Sequence, residues 1–214
     1  MVRIVVTSDG VRELRRGARI VPRVLGPGRI TLLRSQAGPL AGDQDRVEIV
    51  VESGSLWVEP IAASIALPGP EKTYLELDVT VGPNARLFLE DAPLLIAEGA
   101  DVTRTTTIRL GEGAVATVID QVILGRAAEG PGRLESVLQC DGILHDVLRV
   151  EPATWAEDAY VALAPGHSAI GTYAVLGTPG NLHANGHLER VSATSAADVE
   201  AACKAWRLRD REGV

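Results

Sequence analysis

Short apolar, β-branched runs recur along most of the chain, and each is closed by glycine, proline or aspartate. Val2–Thr7, Ile30–Leu33, Val47–Val51, Leu75–Val81, Thr103–Leu110, Ala114–Ile119 and Leu144–Val150 are such runs. Between them stand Asp9-Gly10, Gly26-Pro27-Gly28, Pro68-Gly69-Pro70, Gly82-Pro83-Asn84, Gly111-Glu112-Gly113 and Asp141-Gly142. Branched side chains fit a pleated backbone, while Gly, Asn and Pro supply the dihedrals of tight turns. The pattern predicts an all-β protein of many short strands. Aromatics make up 3% of the chain, so its core is built from Val, Ile, Leu and Ala.

Three central segments share a plan. "VVESGSLWVEPIA", "VTVGPNARLFLEDAP" and "IRLGEGAVATVIDQV" each read as strand, glycine-containing turn, strand, then an acid. Aligning Ser55, Ala85 and Ala114 gives a period of roughly 30 residues, within the range of stacked repeats. One such unit cannot cover its own apolar face, so neighbours must stack. This favours a layered or superhelical, β-helix-like arrangement, with a meander sandwich as the alternative. An immunoglobulin-type sandwich would carry its own Cys and Trp landmarks.

Helical periodicity is confined to Ser195–Arg209. Ser195 is a good N-cap, and Asp198 three residues on supplies the acid of a capping box. Val199, Ala202, Cys203 and Trp206 form one apolar stripe, and Lys204, Arg207 and Arg209 load the C-terminal turns where the helix dipole favours cations. The expectation is one domain over 1–214, with a β body over about 1–190 and an amphipathic helix over about 195–209 packed on the sheets.

The formal net charge of −7 argues against nucleic acid as the main partner. The N-terminal segment runs the other way, with Arg3, Arg12, Arg15, Arg16, Arg19, Arg23, Arg29 and Arg34 facing few acids. It reads as a solvated strand face or, alternatively, as a docking surface for an acidic protein. Two distant cysteines, Cys140 and Cys203, provide neither a disulfide framework nor a metal knuckle and suit a reducing compartment. The start "MVRIVVTSDG" lacks the apolar length of a signal peptide, and no run reaches the ~18 apolar residues of a membrane span. A cytoplasmic protein with no membrane partner is the expectation.

Motif by motif, the sequence offers little catalytic chemistry. "QAGPLAGD" at Gln36–Asp43 is Gly-rich, but it ends in Asp43 where a phosphate loop carries Lys and a hydroxyl. "GEGAVA" at Gly111–Ala116 fits a dinucleotide pattern, yet the β-branched run after it predicts a strand and not the helix that would hold a pyrophosphate. "GHSAIG" at Gly166–Gly171 lacks the spacing and elbow of a nucleophile motif. His183 and His187 flank Asn185-Gly186, a hairpin signal that would send the two imidazoles to opposite faces; a transition-metal site is the minority alternative. The carboxylates Asp43, Glu59, Glu90, Asp91 and Asp120 sit near strand ends. They read as turn and edge residues, as transient cation ligands, or as an acid pair for carbohydrate chemistry on a β-solenoid.

Several stretches together resemble the urease accessory protein UreD family, called UreH in some bacteria. These are "LLRSQAGPLAGDQDRVEIVVESG", "VTVGPNARLFLEDAPLLIAEGADVTRTTTIRL", "VILGRAAEG" and "LQCDGILHDVLRVEP", covering about Leu32 to Pro152. Ala37 and Ala41 stand where the family usually has glycine. The resemblance implies an all-β superhelical layered fold and a role other than catalysis. Members act as scaffold and metallochaperone with UreF- and UreG-type partners, delivering nickel to apo-urease through an internal polar passage, with no tightly bound cofactor. Carried onto this chain, it implies that Gly38 and Gly42 allow a tight turn. Asp43 there either caps backbone N–H groups or lines a cation route. Gly125 and Arg126 form a second structural signature, the guanidinium forking onto carbonyls or a carboxylate. Asp43, Glu59, Asp91 and Asp120 are the candidate nickel-relay carboxylates.

Overall fold

The computed structural model describes residues 1–153, 166–177 and 186–212. The strand-and-turn rhythm of the sequence winds into a solenoid of two large sheets. Its central path runs β4 (Arg29–Arg34), β5 (Gln44–Val51), β6 (Ser55–Val58), β7 (Ser64–Ala66), β8 (Thr73–Val81), β9 (Arg86–Glu90), β10 (Leu94–Ile96), β11 (Asp101–Leu110), β12 (Val115–Leu124) and β13 (Arg133–Cys140). Strands β5, β8, β11 and β13 stack in parallel in one sheet, which β1 (Val2–Thr7) extends in parallel beside β5. Strands β4, β6, β9 and β12 stack in parallel in the other. The short β7 and β10 pair with each other, and β10 also pairs with β12.

Antiparallel strands close both ends. At the N-terminal end β2 (Gly10–Arg15) pairs with β1 and β3 (Ile20–Gly26) with β4. At the other end β14 (Leu144–Val150) folds back on β13 through the Asp141-Gly142 turn. There too β15 (Ala169–Leu176) pairs with β12 and β16 (Gly186–Ala193) with β15. The parallel ladders exclude the meander sandwich. They also show why a repeat was visible: each coil returns to the same sheet one rung further on. Ser55, Arg86 and Val115 are the residues in register, one place beyond the expected Ala85 and Ala114. The reason is the turn before β6, which holds one residue fewer than those before β9 and β12.

Side chains pointing inward from the two sheets form two apolar clusters. One gathers Ile4, Ile49, Val79, Ile108, Val118 and their neighbours; the other gathers Ile96, Val102, Val122, Leu134 and Ile170. A third lies on the outer face of the second sheet under α1 (Ala196–Glu212). Ser195 caps α1: its Oγ accepts from the Asp198 N–H at 3.2 Å and donates to the Asp198 carboxylate at 2.9 Å. Val199, Cys203 and Trp206 are buried against Phe88, Ile119 and Tyr173. Burial pushes the Cys203 thiol up to about 12 and Cys140 up to about 11, so both are unreactive thiols at neutral pH. Among the described residues no helix is long and apolar enough to cross a membrane.

Candidate functional site: a polar layer between the sheets

The two inward-facing apolar clusters do not merge. On β11, β12 and β13 the inward positions run apolar, then polar, then apolar, and the ladders bring these polar positions to one level. On β11 the order is Val102, Arg104, Ile108; on β12 it is Val118, Asp120, Val122; on β13 it is Leu134, Ser136, Leu138. Register places Asp45 and Arg104 on either side of Leu75, and Ser136 beside Arg104. In the facing sheet it places Thr172 beside Asp120 and Arg190 beside Thr172. Asp91, just past β9, joins this level through its N–H bond to the Ile119 carbonyl. The result is a charged layer running along the solenoid axis, sandwiched between apolar layers.

Its members pair across the gap. Arg104 forks onto Asp120, Nη1 to Oδ1 at 2.7 Å, with Nη2 on Oδ2, while Nε and Nη2 also donate to Ser136 Oγ at 3.1 and 2.9 Å. Arg190 bonds Asp146, and its Nε donates to Thr172 Oγ1 at 3.3 Å. At the other end Arg34 bonds Asp45, which also accepts from Arg19 Nε at 3.0 Å. Two cavities open within the layer, of about 90 and about 30 Å³. Both are lined by Asp91 and Arg104; the larger adds Arg34 and Asp45, the smaller Asp120, Asp146 and Arg190. Spaces of this size hold water or a partly hydrated ion.

Asp91 stands apart electrostatically. Among the described residues it is the layer's carboxylate without a guanidinium hydrogen bond; its Oδ1 accepts from the Ala92 N–H at 2.8 Å. Burial holds its pKa above the ordinary carboxylate range, Arg104 pulls it back, and Asp120 adds to the rise. Burial works against the Arg104 cation, but Asp120 and Asp91 outweigh it and keep the guanidinium charged.

The sequence-derived candidates distribute unevenly over this layer. Asp91 and Asp120 come together in it. Asp43 lies at its edge, 3.3 Å from Arg19 Nη1 and 3.7 Å from Arg34 Nη1. Its Oδ2 accepts from the Leu40 N–H at 3.0 Å, so it caps the turn that Gly38 and Gly42 form at φ 142° and 82°. The carbonyls of Gly38 and Pro39 accept from Ile65 and Leu67, which lays this loop beside β7 at the wall of the larger cavity. Glu59 is not brought to the layer: it sits outside the second sheet, paired with Arg29. Glu90 and Asp91 are split by the strand's pleat, Glu90 outward onto Arg207 and Asp91 inward. Gly125 adopts φ 77°, and Arg126 forks onto Glu129, Nε to Oε2 at 2.8 Å.

His183 and Asn185 lie outside the described residues. Gly186 is the first residue of β16, opposite Leu176; His187 faces Val175 and bonds Glu189 at 2.8 Å. No three His, Cys, Asp or Glu side chains converge on a common metal position among the described residues. A groove on the outer face of the second sheet is lined by Trp57 and Phe88, stacked at 4.4 Å, together with Tyr173. Its described carboxylate, Glu189, is engaged by His187, Trp206 and Arg209.

Asp45, Arg104, Asp146 and Arg190 were missed from the sequence, and Arg34, read there as part of a solvated strand face or docking surface, turns inward onto Asp45. Their signal was there: each is a charge at an inward position of an alternating strand, where an apolar residue is expected.

A family model described as UreD urease accessory protein matches residues 22–214. The chain belongs to the UreD urease accessory protein family. It is 34% identical over 196 residues to the urease accessory protein UreD of Streptomyces coelicolor, covering 81% of this chain and 75% of that one. It is 31% identical over 225 residues to UreD 1 of Streptomyces griseus, covering 93% and 86%. Against the UreD of Frankia alni it is 35% identical over 149 residues, and there the matched stretch spans only 50% of the relative's length. The UreD match spans the polar layer from Arg34 to Arg190 and the helix α1.

Proposed function

We propose that this UreD-family chain is a non-catalytic scaffold and metallochaperone in the cytoplasm. In this reading it helps assemble the nickel centre of apo-urease together with UreF- and UreG-type partners. The observation that carries the reading is the polar layer, with Asp91 at the junction of its two cavities. A carrier must release its cargo, so sparse oxygen donors suit it better than a Cys/His cage. Carboxylates already held by arginines give a cation no deep well. Asp91, which makes no guanidinium hydrogen bond among the described residues, is the donor left to a divalent cation.

Co-expression with the urease subunits and accessory proteins tests this. Asp91→Ala should leave the UreF-type complex intact on size exclusion while nickel per urease falls at least about tenfold, the loss of one charged donor being worth over 1.4 kcal/mol. Unchanged nickel content with an intact complex would remove the layer from nickel delivery. Failure to co-purify with the UreF-type protein or urease under any condition would remove the scaffold role itself.

A further inference from the structure

The N-terminal end of the solenoid is unfinished. Leu14 on β2 stands directly opposite Ile4, and Val24 on β3 directly opposite Ile30. Opposed residues of an antiparallel pair share a face. Ile4 and Ile30 are fully buried in the inter-sheet core, so Leu14 and Val24 face that core too, yet they are 38% and 52% exposed. Both sheets thus end on core-facing residues that no further rung covers among the described residues.

The backbone is open in the same place. Strand β2 is the last of its sheet, so among the described residues one edge of it has no ladder partner. Strand β3 ends the other sheet but carries Pro22, which lacks an N–H, and a bulge between Val24 and Gly26, two devices that blunt an edge. Strand β2 has a bulge of its own at Arg12 but no proline, so its edge is the better fitted of the two to accept a strand. Charge selects what can bind there. Residues 10–26 hold five arginines and one glutamate in a chain of net charge −7. Arg12 is paired with Glu52 and Arg15 with Glu13, whereas the exposed Arg16 and Arg23 make no ion pair among the described residues.

We infer that this end is a docking edge for an extended acidic segment of a partner protein. The segment adds to β2 as a further strand, lays apolar side chains over Leu14 and Val24, and sets its carboxylates on the outer face against Arg15 and Arg16. This is strand addition, with main-chain bonds giving affinity and alternate side chains giving selectivity. A second copy joined through the same end would set one arginine cluster against the other, so it does not fit. A nucleic acid would satisfy the charge but neither the strand edge nor the apolar residues. The inference is independent of the nickel reading.

The test is fluorescence anisotropy of the full chain with short labelled peptides. One alternates valine and glutamate, one alternates valine and lysine, and one is the acidic peptide interrupted by proline. The acidic peptide should bind, and Arg15→Glu/Arg16→Glu, checked for native circular dichroism, should weaken it about tenfold, as expected for two charge reversals at an interface. The lysine and proline peptides should bind at least about tenfold more weakly. No binding of the acidic peptide at about 1 mM, a free-energy floor near −4 kcal/mol, would overturn the inference. So would equal binding of all three peptides, displacement by single-stranded oligo(dT), or self-association of the free chain that the double variant abolishes.

Discussion

Arg104 and Asp120 meet across the space between the two sheets, with Ser136 completing the guanidinium's bonds. This bridge ties β11 to β12 in the middle of what would otherwise be a continuous apolar core. Buried ion pairs of this kind contribute little net stability compared with apolar packing, but removing one partner strands the other. Arg104→Ala should cost on the order of 3 kcal/mol by urea denaturation, because Asp120 then loses both bonds. Arg104→Met/Asp120→Leu should recover most of that loss. If the double variant is no more stable than Arg104→Ala, the layer holds the fold together and is not kept for passage.

Asp91 gives the layer a pH signature. Burial raises its pKa in the folded protein above the unfolded value, so the folded state binds more protons between the two. Stability then falls as pH rises through that window, and the cost of the buried anion is fully present above the folded pKa. Asp91→Asn removes this cost while keeping the oxygen that accepts from Ala92. The variant should match or exceed the parent at pH 7, and the gain should shrink on acidification and vanish below the unfolded carboxylate range, at about pH 3. A variant whose advantage grows on acidification would contradict the raised pKa.

Much of the fold was legible because the solenoid is written in local chemistry. Val2–Thr7 is β1 to the residue, and Ser195 and Asp198 cap α1 as their spacing indicated. The charged layer was legible in principle but hidden in practice. An inward Arg104 in "VTRTTTI" looks like an exposed residue until the ladder shows Ser136 and Leu75 beside it. Asp91 and Asp120 were singled out because both follow apolar runs, but so does Glu59, which ends outside the sheet. Which of several similar carboxylates turns inward is decided by strand pleat and register, and one residue of slip reverses it.

The helix rests on a glycine. A Cβ at Gly171 on β15 would lie 2.9 Å from Val199 Cγ1, 3.0 Å from Val191 Cγ1 and 3.2 Å from Trp206 Cζ3. These are ends of packed side chains, which shift only partly. Gly171→Ala should cost about 1–3 kcal/mol through overpacking. Amide hydrogen exchange should rise most within α1, since the helix is what must lift. Uniform acceleration over β11 and β13 instead would show that α1 is not held at this point.

Gly42 and Gly125 both adopt positive φ, 82° and 77°, in the two signature loops, but their surroundings differ. A Cβ at Gly42 would meet the tip of Glu71, Oε2 at 2.5 Å, a flexible carboxylate at the surface that can swing away. A Cβ at Gly125 would meet two backbone carbonyl oxygens, of Gly130 at 2.5 Å and Glu129 at 2.6 Å, and these belong to the loop that Arg126 and Glu129 clamp. The left-handed backbone alone costs an alanine about 1 kcal/mol. Gly42→Ala should therefore lose about that much. Gly125→Ala should lose on the order of 3 kcal/mol, since the backbone itself must move. Equal losses by chemical denaturation would mean that the Gly125 loop yields as easily as a side chain, and that Arg126 does not fix it.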